Sequence, residues 1–146
     1  MKVAKTFSLS PEERRRVGGR LRELLAEEAA LLLAYLYGSF VAGRGFNDID
    51  IAVLMDETGF STERELFEYQ LALAVRLERE VRPFPVDIIC LNRAPLPLRF
   101  RVVSEGVLLL SKDEQQWIEF ESRTRVLFFD FLPHLEFYYE KLVLGR

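Results

Sequence analysis

"YLYGSFVAGRGFNDIDIAVL", residues 35–54, is the stretch on which the reading of this chain turns. An apolar run closes on Gly38-Ser39, a loop with further glycines follows, and Asp48 and Asp50 open a second apolar run. Alternate residues of a strand share a face. Asp48, Asp50, Ala52 and Leu54 therefore fall on one side, and Ile49, Ile51, Val53 and Met55 on the other. The two aspartates would stand about 7 Å apart at Cα. Carboxylates beside an apolar strand destabilise it unless something cationic pairs with them.

Working outward, residues 30–38 and 48–55 are expected strands, "VDIICL" (86–91) a third, and "VLLL" before Ser111 a short fourth. Ser10-Pro11-Glu12-Glu13 is a helix start, and Val17, Leu21, Leu24, Leu25 and Ala29 follow at helical spacing. Gly18-Gly19 interrupts that helix at about 1 kcal/mol each relative to Ala. Thr62-x-x-Glu65 is a capping box opening a helix to about Val81, with Leu66, Tyr69, Leu73, Leu77 and Val81 as its buried stripe. A short helix is expected over 97–104, ended by Gly106. Ser111-x-x-Glu114 reads as a further capping box, opening a helix with Trp117, Phe120, Leu127 and Phe131 on one stripe. Pro133 is expected to kink or end it, with 134–144 as a last helical piece.

The order α-β-β-α-β-α-β-α gives an α/β (α+β) class, a small mixed sheet covered by helices. One domain spans 1–146, with residues 1–9 as a leader, a core of about 10–110 and a C-terminal helical extension at 111–146.

The formal charge of −3 provides no basic field for nucleic acid. Arg14-Arg15-Arg16 is offset by Glu12, Glu13, Glu23, Glu27 and Glu28 and reads as a solvated helix face. Cys90, the single cysteine, sits in an apolar run and is expected to be buried. With one Cys and one His a zinc site of that type has no ligands, so a metal here would take oxygen donors, as magnesium or manganese do. No signal peptide or membrane-spanning run is visible, which gives a cytoplasmic expectation. The many aromatics after residue 116 are expected to be mostly core, with some left over for contact with another chain.

Asp87, near the start of the third strand, is the candidate third carboxylate. Three carboxylates repel one another, and divalent cations remove that repulsion. Gly38 allows a sharp turn and leaves room for a phosphate beside the backbone, and Ser39 adds a hydroxyl donor. If a helix begins after Gly38, its N-terminal N–H groups would favour the same anion. Donors for phosphate beside carboxylates for magnesium suit a metal–nucleoside triphosphate.

"GSFVAGRGFNDIDIAVL" resembles the signature of the polymerase β-like nucleotidyltransferases, a Gly-Ser turn followed by Asp-x-Asp, and "VDIICL" matches their third aspartate. The whole chain, including the segment from Leu98 to Val143, resembles the minimal nucleotidyltransferases of the MntA antitoxin group. The resemblance implies that Gly38 and Ser39 hold the nucleotide phosphates, that Asp48 and Asp50 bind two Mg²⁺ ions (or Mn²⁺), and that Asp87 binds the catalytic ion and assists the attacking hydroxyl. Gly43 matches a second loop glycine. It implies transfer of AMP from ATP to a tyrosine of a HEPN-domain RNase toxin, with the toxin as partner. Hetero-oligomers and homodimers both stay open. The chain departs from the family in its loop, only eight residues between Ser39 and Asp48, with Asn47 where a Ser is usual. Two alternatives stand beside this reading: a binding module that masks a HEPN toxin stoichiometrically, and a nucleotidyltransferase for a small-molecule acceptor. His134 reads as a surface or helix-start residue, and Arg44 as a loop charge.

Overall fold

The computed structural model of the chain describes residues 5–145, so the first four residues of the expected leader lie outside the described residues. Among the described residues eight α-helices and strands follow in the expected order, with one short 3-10 turn (Glu57–Gly59) before the second helix: α1 (Pro11–Ala26), β1 (Leu31–Tyr37), β2 (Ile49–Met55), α2 (Glu63–Glu80), β3 (Val86–Cys90), α3 (Leu96–Glu105), β4 (Val107–Ser111) and α4 (Glu114–Leu142). The strands form one sheet in the order β3-β2-β1-β4. β1 runs antiparallel to both β2 and β4, while β2 and β3 are parallel, as the α2 crossover between them requires.

Each face of the sheet buries a different set of side chains. On one side Leu21 and Leu25 of α1 and Leu66, Leu73 and Leu77 of α2 pack on Ala34, Leu36, Ile49, Ile51, Val53 and Ile88. On the other, Val102 of α3, with Leu98, Trp117 and Phe120 beside it, packs on Leu33, Tyr35 and Ala52. The period-two split expected for β2 is what the fold uses. Each fully buried Leu or Ile is worth about 1.5–3 kcal/mol relative to exposure, so the alternation fixes which way β2 faces. On the α4 side, Glu121 accepts hydrogen bonds from Tyr35 Oη (2.7 Å) and Trp117 Nε1 (2.6 Å), tying the helix to the central sheet.

Local signals explain the helix starts. Ser10 Oγ accepts from Glu13 N–H and the Glu13 carboxylate accepts from Ser10 N–H, both at 3.1 Å, a complete capping box. At Thr62 only half the expected box forms: Thr62 Oγ1 accepts from Glu65 N–H, but the Glu65 carboxylate takes Ser61 N–H instead.

Four expectations are corrected. Asp48 is not in the strand; β2 begins at Ile49. The cap of α4 is Asp113, whose carboxylate accepts from Gln115 and Gln116 N–H, while Ser111 is the last residue of β4. α4 runs through Pro133 unbroken to Leu142. The aromatics of its second half are mostly not core: Phe129, Phe137, Tyr138 and Tyr139 are each more than half exposed and Leu127 is exposed too, while Phe131 is half-buried, Phe128 is half-buried against Phe100 of α3, and Thr124 is the one fully buried residue of the helix. Cys90 is buried and unpaired, as expected. Among the described residues no helix is long and apolar enough to cross a membrane.

Candidate active site

The carboxylates meet at one end of the sheet, on the face covered by α3 and α4. β1 ends at Tyr37, which pairs with Asp50, the second residue of β2; Asp50 in turn pairs with Asp87, the second residue of β3. Tyr37, Asp50 and Asp87 thus form a row across three adjacent strands, pointing to the same face. Asp48 joins them from the loop end just before β2. Asp48 and Asp50 are half-buried and Asp87 is exposed.

The electrostatics record this convergence. Asp50 is pushed up from 3.8 to about 6, first by burial, then by the charges of Asp48 and Asp87 and a hydrogen bond with Asp48; Arg101 of α3 offsets part of this. The Tyr37 phenol is pushed up to about 12 by burial and by the same three aspartates. Among the described residues no three acidic, histidine or cysteine side chains are already drawn in tightly enough to hold a metal ion as they stand.

Gly38 is fitted to Asp50. Its φ of +80° lies in the left-handed region, and a Cβ there would stand 2.5 Å from Asp50 Oδ2. After Gly38 the chain makes a single helical turn, Ala42 N–H to Gly38 C=O at 3.1 Å, and no helix, which corrects the helix N-terminus considered there. Ser39 lies half-buried in that turn.

The short loop over residues 40–47 is held from below. Phe46 bridges to Phe7 through two backbone hydrogen bonds of 2.8 and 3.0 Å. Phe40 and Phe46 meet edge-to-face at 5.0 Å. Arg14 reaches under the loop, donating to Phe40 C=O, to Arg44 C=O (2.8 Å) and to Leu9 C=O (3.2 Å), with its guanidinium 5.4 and 5.3 Å from the Phe40 and Phe46 ring centroids. Arg14 is therefore no part of a solvated face, contrary to the sequence reading.

The structure thus brings together all five candidate residues: Gly38, Ser39, Asp48, Asp50 and Asp87. Sequence reasoning missed Tyr37, Arg101 and Arg14. Tyr37 directly precedes Gly38, and only the pairing of β1 with β2 shows that it faces Asp50; Arg101 lies on α3, and only the packing of that helix over the sheet brings its charge to the aspartates. Arg14 carried no signal beyond its neighbours' charge.

The family model for Polymerase beta, Nucleotidyltransferase matches residues 20–115, a range that includes all four strands and all five candidate residues. No curated protein matches the chain. Among solved structures, a chain from the complex of tri-AMPylated Shewanella oneidensis HEPN toxin with MNT antitoxin aligns with a TM-score of 0.65 and 24% identity, over 90% of this chain and 97% of that one. A chain from a toxin–antitoxin structure with AMP-PNP aligns equally well, TM-score 0.65 and 24% identity, over 88% and 96%. The MntA-HepT toxin–antitoxin gives 0.63 and 23%, over 90% and 97%. These likenesses are of fold. With the model covering the sheet, the Gly-Ser turn and all three aspartates, the chain belongs to the polymerase beta nucleotidyltransferase family.

Proposed function

We propose that this chain is an antitoxin that transfers AMP from ATP to a tyrosine hydroxyl of a HEPN-domain toxin. The observation that carries the reading is the register that sets Asp50 beside Asp87, with Asp48 at the strand mouth and Gly38-Ser39 against Asp50. It is supported by the solved structures of like fold, whose descriptions include a tri-AMPylated HEPN toxin and AMP-PNP. The partner is then the toxin, in a hetero-oligomer.

The site suits a hard divalent cation, magnesium or manganese. Its donors are all oxygens, and the charges of Asp48 and Asp87 beside Asp50 make a negative cluster that a cation would neutralise. Asp48, Asp50 and Asp87 would hold such ions, which when bound neutralise triphosphate charge and polarise the α-phosphoryl group.

The chain's own residues do the rest. Gly38, lacking a side chain, leaves the Asp50 carboxylate open to the turn where the phosphates lie. Ser39 Oγ donates to a phosphate oxygen. Asp87, exposed on an outer strand, is open to a bulky acceptor and takes the proton from the tyrosine Oη. Oη attacks the α-phosphorus; the new O–P bond forms as the bond to the bridging oxygen breaks, and pyrophosphate leaves with that electron pair.

The test is incubation of the HEPN protein with this chain, α-labelled ATP and Mg²⁺. Label is expected on the toxin, reduced at least about 100-fold by Asp48→Asn/Asp50→Asn. No label with the wild-type chain, or equal labelling by the double variant, would defeat the proposal.

A further inference from the structure

Two adjacent glycines in the middle of α1 are unexplained by the active site. Each is less favourable there than Ala by about 1 kcal/mol. Arg14, Arg15, Gly18, Gly19 and Arg22 form one helical stripe, and it faces a groove of about 710 Å³. The opposite wall is β4, and the groove ends at Phe40 and Val41, directly after Ser39. A Cβ on Gly18 would lie 3.7 Å from Leu36 Cδ1, ordinary contact, and one on Gly19 would meet nothing within 4 Å. Packing inside the chain does not require these glycines. Their missing side chains keep the floor of the groove open.

The two outer edges of the sheet are treated differently. On β3 the outward groups are satisfied from α2: the Glu78 carboxylate accepts from Val86 N–H (2.9 Å) and Gln70 Nε2 donates to Ile88 C=O (2.5 Å). On β4, among the described residues, no side chain reaches the backbone of residues 107–110, and no further strand pairs with it. Its sequence, VLLLS, has neither charge nor proline. Only its shortness and one register shift blunt it. An edge of this kind invites another strand.

The charge of the groove names what it takes. Three of its thirteen lining residues are arginines and none is acidic, in a chain of net charge −3. Arg14 is committed to the loop carbonyls. Arg20, off this stripe, pairs with Glu23 and Glu80. Arg15 and Arg22 have no carboxylate partner among the described residues, so two cations line an apolar cleft beside a free strand edge.

We infer that this groove docks an extended acidic segment of the acceptor protein, which adds a fifth strand to β4 and sets carboxylates against Arg15 and Arg22. The inference rests on the proposed protein-modifying activity. A strand seated about 4.8 Å from β4 satisfies the free backbone groups, and its side chains on one face reach the glycine floor. A helix, about 10 Å across, would leave those groups unpaired. The docked segment leads to the turn that follows Ser39, which joins partner docking to the nucleotide end of the sheet.

The experiment uses the HEPN protein as probe. Gly19→Leu fills the floor while improving helix propensity, so lost binding is not lost folding. Arg15→Glu/Arg22→Glu reverses the charge. Binding of the wild-type chain should protect the amides of residues 107–111 from hydrogen exchange. Each variant should weaken binding at least tenfold and raise KM for the acceptor, with KM for ATP unchanged. Unchanged affinity in both variants, or no protection of β4, overturns the groove even if the wild-type chain labels the toxin. Protection of β4 in the chain alone, with a doubled mass at rising concentration, assigns the groove to a second copy and also overturns it. If binding and protection hold but no label is transferred, the docking site stands and the proposed activity falls.

Discussion

Gly38 and Asp50 are made for each other, and each has a measurable consequence. An alanine at 38 would carry a strained positive φ and push its Cβ onto Asp50 Oδ2, so Gly38→Ala should lower stability by about 1–3 kcal/mol in denaturant titration and displace the carboxylate as well. For Asp50 the folded chain holds its proton up to about pH 6, above the 3.8 of a free carboxyl. Between those values the native state binds more protons than the unfolded state. Stability contributed here therefore falls as pH rises from about 4 to 6 and stays lowered above it. Metal-free Asp50→Asn should consequently melt higher than wild type at pH 7.5 and show little advantage near pH 4. A melting difference of equal size at both pH values would contradict the carboxylate crowding. Asp50 and Asp87 could be read from sequence because an acid inside an apolar strand stands out. Tyr37 and Arg101, which share their field, could not, because neither breaks a pattern in its own segment.

Arg14 shows how one side chain ties an element to a loop. Its bonds to Phe40 and Arg44 C=O hold the turn between the Gly-Ser pair and Asp48, and each such bond is worth about 1 kcal/mol. Arg14→Met keeps the packed stem and loses both. KM for ATP should then rise about tenfold, with kcat less affected, and Arg14→Lys should not restore it, since one ammonium cannot span two carbonyls. α4 is the contrasting case. Pro133 removes a backbone donor from the interior of a helix that continues through it, and beyond Thr124 no residue of α4 is fully buried, so the core constrains the helix little at that point. Pro133→Ala should raise helix content by circular dichroism and slow amide exchange around residues 129–137 while leaving the melting temperature of the sheet core almost unchanged. Element order was legible because capping residues, glycines and apolar periods agree along the chain. The start of α4 was misplaced because Ser111 and Asp113 both offer a capping oxygen within two residues, and only the strand pairing of Ser111 decides between them.

On the scale of the whole molecule, the sheet separates its two tasks by face. α1 and α2 seal one side with aliphatic packing; the other, under α3 and α4, carries the carboxylate row at one end. Ions that bind only the folded arrangement must stabilise all of it. Saturating Mg²⁺, at about 100 times its dissociation constant, should add about 2.7 kcal/mol to unfolding at pH 7.5, with no comparable gain for Asp48→Asn/Asp50→Asn. An equal gain in both proteins would place the ion elsewhere. The strand order β3-β2-β1-β4 was not legible, because nothing in a strand's own composition names its neighbour. The pairing of Ile51 with Ile88 one step beyond Asp50 and Asp87 has a wider effect. Were β3 to slide along β2 by a single residue, Val86, Ile88 and Cys90 would turn to the carboxylate face and the third acid would be driven among the leucines of α2. Grease and chemistry are thereby locked to the same notch, and a chain that folds at all arrives with its acids already aligned.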